Sequence, residues 1–216
     1  RGGTGLWDRG LAWRIFREGV PLGLLELIVM VYSRLGIFLL EEYGGLGAVG
    51  QYYTAFKVSE PLLAVAGAIA ISALPVLSRL AEERKLDELR GMFVRYSLRS
   101  AMLSCAVATV VSLLSVWGLG LIKAEYSAAA PALQALVWAT VFMFQNQLSS
   151  SVINAFGKFH YLTIFACLNL VVFTICGFTL VPRMGPTGAA LSTLVTEGIN
   201  CLVQLVTVTW LVRQAR

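Results

Sequence analysis

Charge is scarce in this chain, and histidine is nearly absent. Only 13% of its 216 residues are Asp, Glu, Lys or Arg, where soluble domains carry about 25%. The single histidine, His160, stands beside Lys158 in a predicted turn. The four cysteines, Cys105, Cys167, Cys176 and Cys201, lie far apart in apolar stretches. They form no CxxC pair or Cys/His cluster, so neither a metal site nor a disulfide framework is expected. They read as small hydrophobes used in helix packing. GxSxG, HExxH and Walker sequences are all missing, so the chain is expected not to be an enzyme and to use no cofactor. The net charge of +5 does not point to nucleic acid, because the basic residues sort by position along the chain instead of forming one patch.

What fills the space is apolar. Hydrophobic residues make up 57% of the chain, against roughly 45–50% in soluble domains. Windows of about 19 residues pick out runs long enough to cross a bilayer, at 19–40, 52–77, 97–118, 128–154, 161–182 and 187–212. The short alternating segments of a β-barrel are missing. The expectation is therefore an all-α membrane protein, with six transmembrane helices forming a lobe over 19–212. Six crossings put both ends on one side. That side collects Arg9, Arg14, Arg17, the basic residues of segment 78–99, Lys158, and the 213–216 tail with Arg213 and Arg216. The opposite turns hold only Lys123 and Arg183. By the positive-inside rule the first group is cytoplasmic in a plasma or inner membrane.

Two flanking segments have amphipathic patterns. Residues 1–18 read as a juxtamembrane segment, with Leu6, Trp7, Leu11 and Ile15 on one stripe. The first 18 residues are too polar for the core of a signal peptide, and the chain opens on Arg-Gly-Gly-Thr-Gly without an initiator methionine. It reads as a fragment of a longer protein. Segment 78–99 mixes Glu82, Glu83, Asp87 and Glu88 with arginines, while Leu80, Leu86, Leu89 and Phe93 recur at helical spacing. It is expected to be a surface loop or helix, either facing lipid headgroups or solvated as a linker. Glu41–Gly45 and Val181–Gly188 are expected to turn two hairpins.

Ionisable groups persist inside the spans, where each costs roughly 2.5–3.5 kcal/mol to insert. Five of them imply a polar interior. Glu26 and Arg34 are eight residues apart, about 80° around the helix and roughly 12 Å along it, so they share a broad face without touching. Arg34 either snorkels or lines a cavity, and Gly36 beside it leaves room for an approach. Lys57 and Glu60 can pair at i, i+3, and Pro61 predicts a kink there. Gln145, Asn146 and Gln147 form an amide cluster that either joins helices or hydrogen-bonds a substrate, and Asn169 reads likewise. Glu197 is spaced i, i+3 from Asn200 and must be protonated or paired. Glu26 and Glu197 are candidates for ion coupling. Arg34, Lys57, Glu60, Gln145 and Asn146 are candidates for substrate binding.

Taken in order, several pieces resemble a known family. They are Val31-Tyr32-Ser33-Arg34-Leu35-Gly36, Leu46 through Val58 with its Gly50-Gln51-Tyr52 and Ala55-Phe56-Lys57, Ala73-Leu74-Pro75 through Arg79, Glu125-Tyr126-Ser127, Asn154 through Lys158, and Pro182 through Ala190 onward to Thr196-Glu197. This order is similar to the C-terminal half of polysaccharide flippases of the multidrug/oligosaccharidyl-lipid/polysaccharide exporter superfamily. The family's acidic residue two positions after the arginine is Gly36 here. The resemblance implies a second six-helix lobe upstream, a central cavity, and alternating access that moves a lipid-linked anionic oligosaccharide between leaflets. Arg34 and Lys57 would be its cationic contacts. A cation-coupled multidrug antiporter of the same superfamily and a non-transporting subunit of a glycan assembly complex are the alternatives.

Overall fold

The structure is a computed structural model that describes residues 9–215, with the side chains of 9–12, 14–18, 21 and 22 outside that description. Most of the predicted stripe at 6–18 therefore lies outside the described residues. The described residues are helical almost throughout: α1 (Arg9–Glu82), α2 (Leu86–Ile122), a short 3₁₀ turn (Ala124–Ala129), α3 (Ala130–Ala155) and α4 (Phe159–Gln214). All four α-helices are long and apolar enough to cross a membrane.

Four continuous helices thus stand where six separate ones are expected. The difference lies at the two predicted hairpin turns, where the helix is broken at one residue each instead of opening into a loop. Gly45 has φ 68° and ψ −177°, and Gly185 has φ 52° and ψ −128°. Both values belong to glycine, which lacks the Cβ that would clash there. A straight helix of 74 residues would run about 110 Å, against a hydrocarbon core of about 30 Å. Instead α1 doubles back: Leu39 and Leu40 pack with Ala48, Val49 and Tyr52, and Tyr32 meets Leu63 at one cavity. α4 does the same, with the Tyr161 and Trp210 rings 6.3 Å apart and Val181 against Ala189. Pro186 directly follows Gly185, a first-turn position where a missing N–H costs nothing.

One other expectation is corrected. Segment 78–99 is not a helix of its own. α1 continues through it to Glu82, residues 83–85 turn with Arg84 at φ 54°, and α2 begins at Leu86. Lys85 Nζ lies 2.8 Å from Glu83 in this turn and holds the Glu83 carboxyl below its ordinary range. At Pro61 the backbone keeps helical dihedrals and α1 runs on through it, Gly45 being the non-helical residue inside that helix.

α3 is the central helix, buried on most sides, and its alanines at 130, 132, 135 and 139 allow close approach of neighbours. An apolar cluster closes each end of the bundle. Near the 83–85 turn, Leu77, Leu80, Leu89 and Phe93 pack with Val152, Ile153, Phe165 and Val208. At the other end Ala55, Ala108 and Leu119 pack with Leu133, Leu136 and Val137. α2 leaves Leu103, Leu113, Val116, Trp117 and Leu121 exposed, the surface expected of a helix facing lipid. The polar residues of the interior lie between the two closed ends.

Candidate functional site

The site begins with spacing on α4. Glu197, Asn200 and Gln204 fall at i, i+3 and i+7, which puts them on one face of a helix, and all three are buried. α3 presents Asn146 and Ser150 to that face. Asn146 Nδ2 donates to Glu197 Oε2 at 2.8 Å and to the Glu197 carbonyl at 3.3 Å. Ser150 Oγ donates to Gln204 Oε1 at 3.1 Å, and Gln204 Nε2 donates to Asn200 Oδ1 at 3.1 Å. The first arm of α1 adds Tyr32, whose hydroxyl donates to Glu197 Oε1 at 3.2 Å. Three segments remote in sequence therefore converge on one carboxylate, which accepts at both oxygens. An unpaired charge at this depth is costly, and these bonds offset part of that cost.

This network forms one wall of a cavity of about 420 Å³. Glu26, Gln147 and Asn169 complete its polar lining, and Leu25, Met143 and Phe165 are among the apolar residues. Among the described residues the lining has two carboxylates, five amides and no Lys or Arg. Asn146 and Asn169 each keep a buried carbonyl oxygen with no hydrogen-bond partner, an uncommon state for a buried acceptor. A smaller, aromatic chamber of about 220 Å³ adjoins it through Tyr32, Leu63 and Met143, and is walled by Tyr52, Phe56 and Phe173.

The predicted site residues separate accordingly. Asn146, Glu26 and Glu197 meet at the polar cavity. Gln145, one residue from Asn146, points to the opposite neighbour: its amide donates to Ser100 Oγ at 3.0 Å and to the Ser97 carbonyl at 3.3 Å on α2. It joins helices and does not line the cavity, because a step of one residue turns the side chain by about 100°. Lys57 and Glu60 do pair, at 2.7 Å, with side chains 65% and 50% exposed. Neither they nor the exposed Arg34 line either chamber. The space beside Gly36 is taken by α4, since a Cβ there would stand 3.0 Å from Phe173 Cζ. Tyr32 and Gln204 are the site residues that sequence reasoning missed. The 197–200–204 stripe was the available signal for Gln204, whereas Tyr32 looks like any interfacial aromatic. Among the described residues no group of His, Cys, Asp and Glu is placed to hold a metal ion.

No protein-family model matches the chain, and no curated protein matches it. Solved structures do match. An outward-facing multidrug resistance MATE family transporter of the MOP superfamily superposes with a TM-score of 0.83 at 16% identity, over 97% of this chain and 48% of that one. A MATE protein in a bent conformation gives 0.85 at 16%, over 97% and 47%. A MOP superfamily transporter from Pyrococcus furiosus gives 0.65 at 17%, over 88% and 43%. The chain spans about half the length of these proteins. It has the fold of one half of a multi-pass MATE-type membrane transporter.

Proposed function

We propose that this chain is one lobe of an alternating-access membrane transporter that moves a lipid-linked, anionic oligosaccharide to the outer leaflet. The observation that carries the reading is the amide-lined cavity, in which Asn146 and Asn169 hold buried acceptor oxygens without partners. Sugar hydroxyls supply donors in quantity, and a neutral polar wall satisfies them without demanding a fixed charge pattern. The exposed cations Arg34 and Lys57 suit phosphate or pyrophosphate on a face that a second lobe would complete. Glu60 beside Lys57 would limit how tightly that phosphate is held. The lipid tail would remain in the bilayer. The distribution of basic residues supports both ends being cytoplasmic.

The test replaces Arg34 and Lys57 by Ala in the intact protein and measures exported surface glycan alongside protein in the membrane. Loss of glycan at normal protein level is expected. Normal glycan with both residues replaced would rule the reading out.

One observation favours a second reading. Among the described residues the cavity is lined by Glu26 and Glu197 and by no basic side chain, a polarity that suits a cation. A cation-coupled multidrug antiporter would confer resistance to cationic dyes on expression, and Glu197→Gln would abolish that resistance.

A further inference from the structure

A second polar recess lies apart from the transport cavity, in the wedge between the end of α1 and the first four turns of α2. It encloses about 740 Å³ and shares no lining residue with the polar cavity. Its lining is bipolar. Asp87 and Glu88 stand in the first turn of α2, while Arg95 and Arg99 stand two and three turns further on, and Arg79 lines the recess from α1, close to the turn at 83–85. Glu88 and Arg95 are seven residues apart, on one face and about 10 Å along the axis. Gly91 lies between them and adds no side chain to the floor.

The arginines are available for a ligand. Arg95 uses only its Nε, donating to the Gly91 carbonyl at 3.1 Å. Arg79 has a long contact of 3.6 Å with Glu83, a carboxylate that Lys85 approaches more closely at 2.8 Å. The recess also has a fixed depth. The apolar run of α1 ends near Val76 and that of α2 begins near Arg99, and both residues line the wedge. Arg95 and Arg99 therefore lie nearest the apolar spans, and Asp87 and Glu88, with Arg79, nearest the turn at 83–85. Tyr96, 43% exposed, has the half-apolar character of a membrane-interface residue.

We propose that this wedge binds the headgroup of an aminophospholipid, with the phosphate on Arg95 and Arg99 and the primary ammonium toward Asp87 and Glu88. The order of charges matches the lipid, whose phosphate joins the glycerol at the apolar boundary and whose ammonium projects outward. Guanidinium groups bind phosphate oxygens in a forked geometry. A primary ammonium donates three hydrogen bonds to carboxylates, whereas a trimethylammonium donates none. A purely anionic headgroup would meet the acids at its outer end. The inference requires only that these helices lie in a bilayer, and it holds whichever substrate the cavity carries.

Native mass spectrometry of the intact protein, equilibrated with equal amounts of phosphatidylethanolamine, phosphatidylcholine and phosphatidylglycerol, tests it. Wild type should retain phosphatidylethanolamine over the other two. R95Q/R99Q should weaken retention by about thirtyfold. D87N/E88Q should lower phosphatidylethanolamine to the level of phosphatidylcholine while leaving phosphatidylcholine unchanged. Equal retention of ethanolamine and choline lipids by wild type overturns the proposal, as does preferential retention of phosphatidylglycerol. Unchanged binding in a monodisperse R95Q/R99Q protein overturns it too. Should that variant misfold, the ethanolamine-to-choline ratio in D87N/E88Q decides, because that change leaves the arginines in place.

Discussion

Asn146 holds Glu197 twice, its one amide nitrogen reaching both the side-chain carboxylate at 2.8 Å and the backbone carbonyl at 3.3 Å. The central helix therefore sets both the position of the last helix and the orientation of its acid. Asn146→Leu is expected to destabilise the protein by about 1–3 kcal/mol, since it leaves buried acceptors with fewer donors. The check is a thermal melt in detergent. A melting temperature equal to wild type would show the clamp to be dispensable.

Glu197→Gln keeps the shape and can still accept from Tyr32 or Asn146. Stability should change by less than about 1 kcal/mol, while ion-coupled transport should fall sharply if the carboxylate takes part in coupling. Transport in proteoliposomes, measured with and without an imposed cation gradient, separates the two effects. Equal loss in both conditions would count against a coupling role.

Gln145→Leu is the contrasting control. It removes bonds to Ser97 and Ser100 on α2, worth about 0.6 kcal/mol each in membranes, and touches neither chamber. Melting should drop slightly and transport should persist. A transport defect at normal stability would return Gln145 to the list of substrate contacts.

Gly188 and Gly177 permit close helix contacts. A Cβ on Gly188 would clash with the backbone carbonyl of Leu180, and one on Gly177 would stand 2.8 Å from Leu39 Cδ1. The first obstacle is rigid and the second is a movable side-chain end. Gly188→Ala should therefore cost about 1–3 kcal/mol, and Gly177→Ala noticeably less. Paired melting curves check the ranking, and the reverse order would refute the packing account.

Gly45 and Gly185 occupy dihedrals that are almost exclusive to glycine, at a cost of roughly 1–3 kcal/mol for other residues. Asn often rescues left-handed positions with ψ near +45°, but ψ here is −177° and −128°. Replacing either glycine by Asn should thus be as damaging as replacing it by Ala. Expression yield and melting temperature report this, and a rescue by Asn would mean that the turn can change its conformation.

The long apolar runs made the helical membrane fold legible, and Gly45 and Gly185 both lie within the stretches where turns are expected. What could not be read was that one glycine suffices for each reversal, so that helix continues on both sides of it. The site was partly legible. Glu197, Asn146 and Glu26 stand out because polar groups in apolar runs need partners. Arg34 and Lys57 stand out on the same grounds, yet face outward, because sequence shows that a group is polar but not which way its helix is turned. Gln145 and Asn146 make the point most sharply, as adjacent amides bound to different helices. Tyr32 needed the fold itself, since its partner Glu197 is 165 residues away.

The glycine reversals also limit how the protein can be labelled. A reversal made by one backbone unit, with Leu39, Leu40, Val181 and Ala189 packed beneath the pair, has no slack for an inserted epitope or fluorophore. At residues 83–85 and 156–158 the helices end, in hydrogen-bonded turns whose residues 83–85, 157 and 158 are exposed. Tags are best placed at those two points, on the side of the bundle where Phe156 packs against the cluster of Leu80 and Leu89. Among the described residues the opposite side offers the short 3₁₀ segment around Glu125, itself exposed. A pair of reporters meant to span the two ends of the bundle is therefore best placed with one at 83–85 and the other at Glu125.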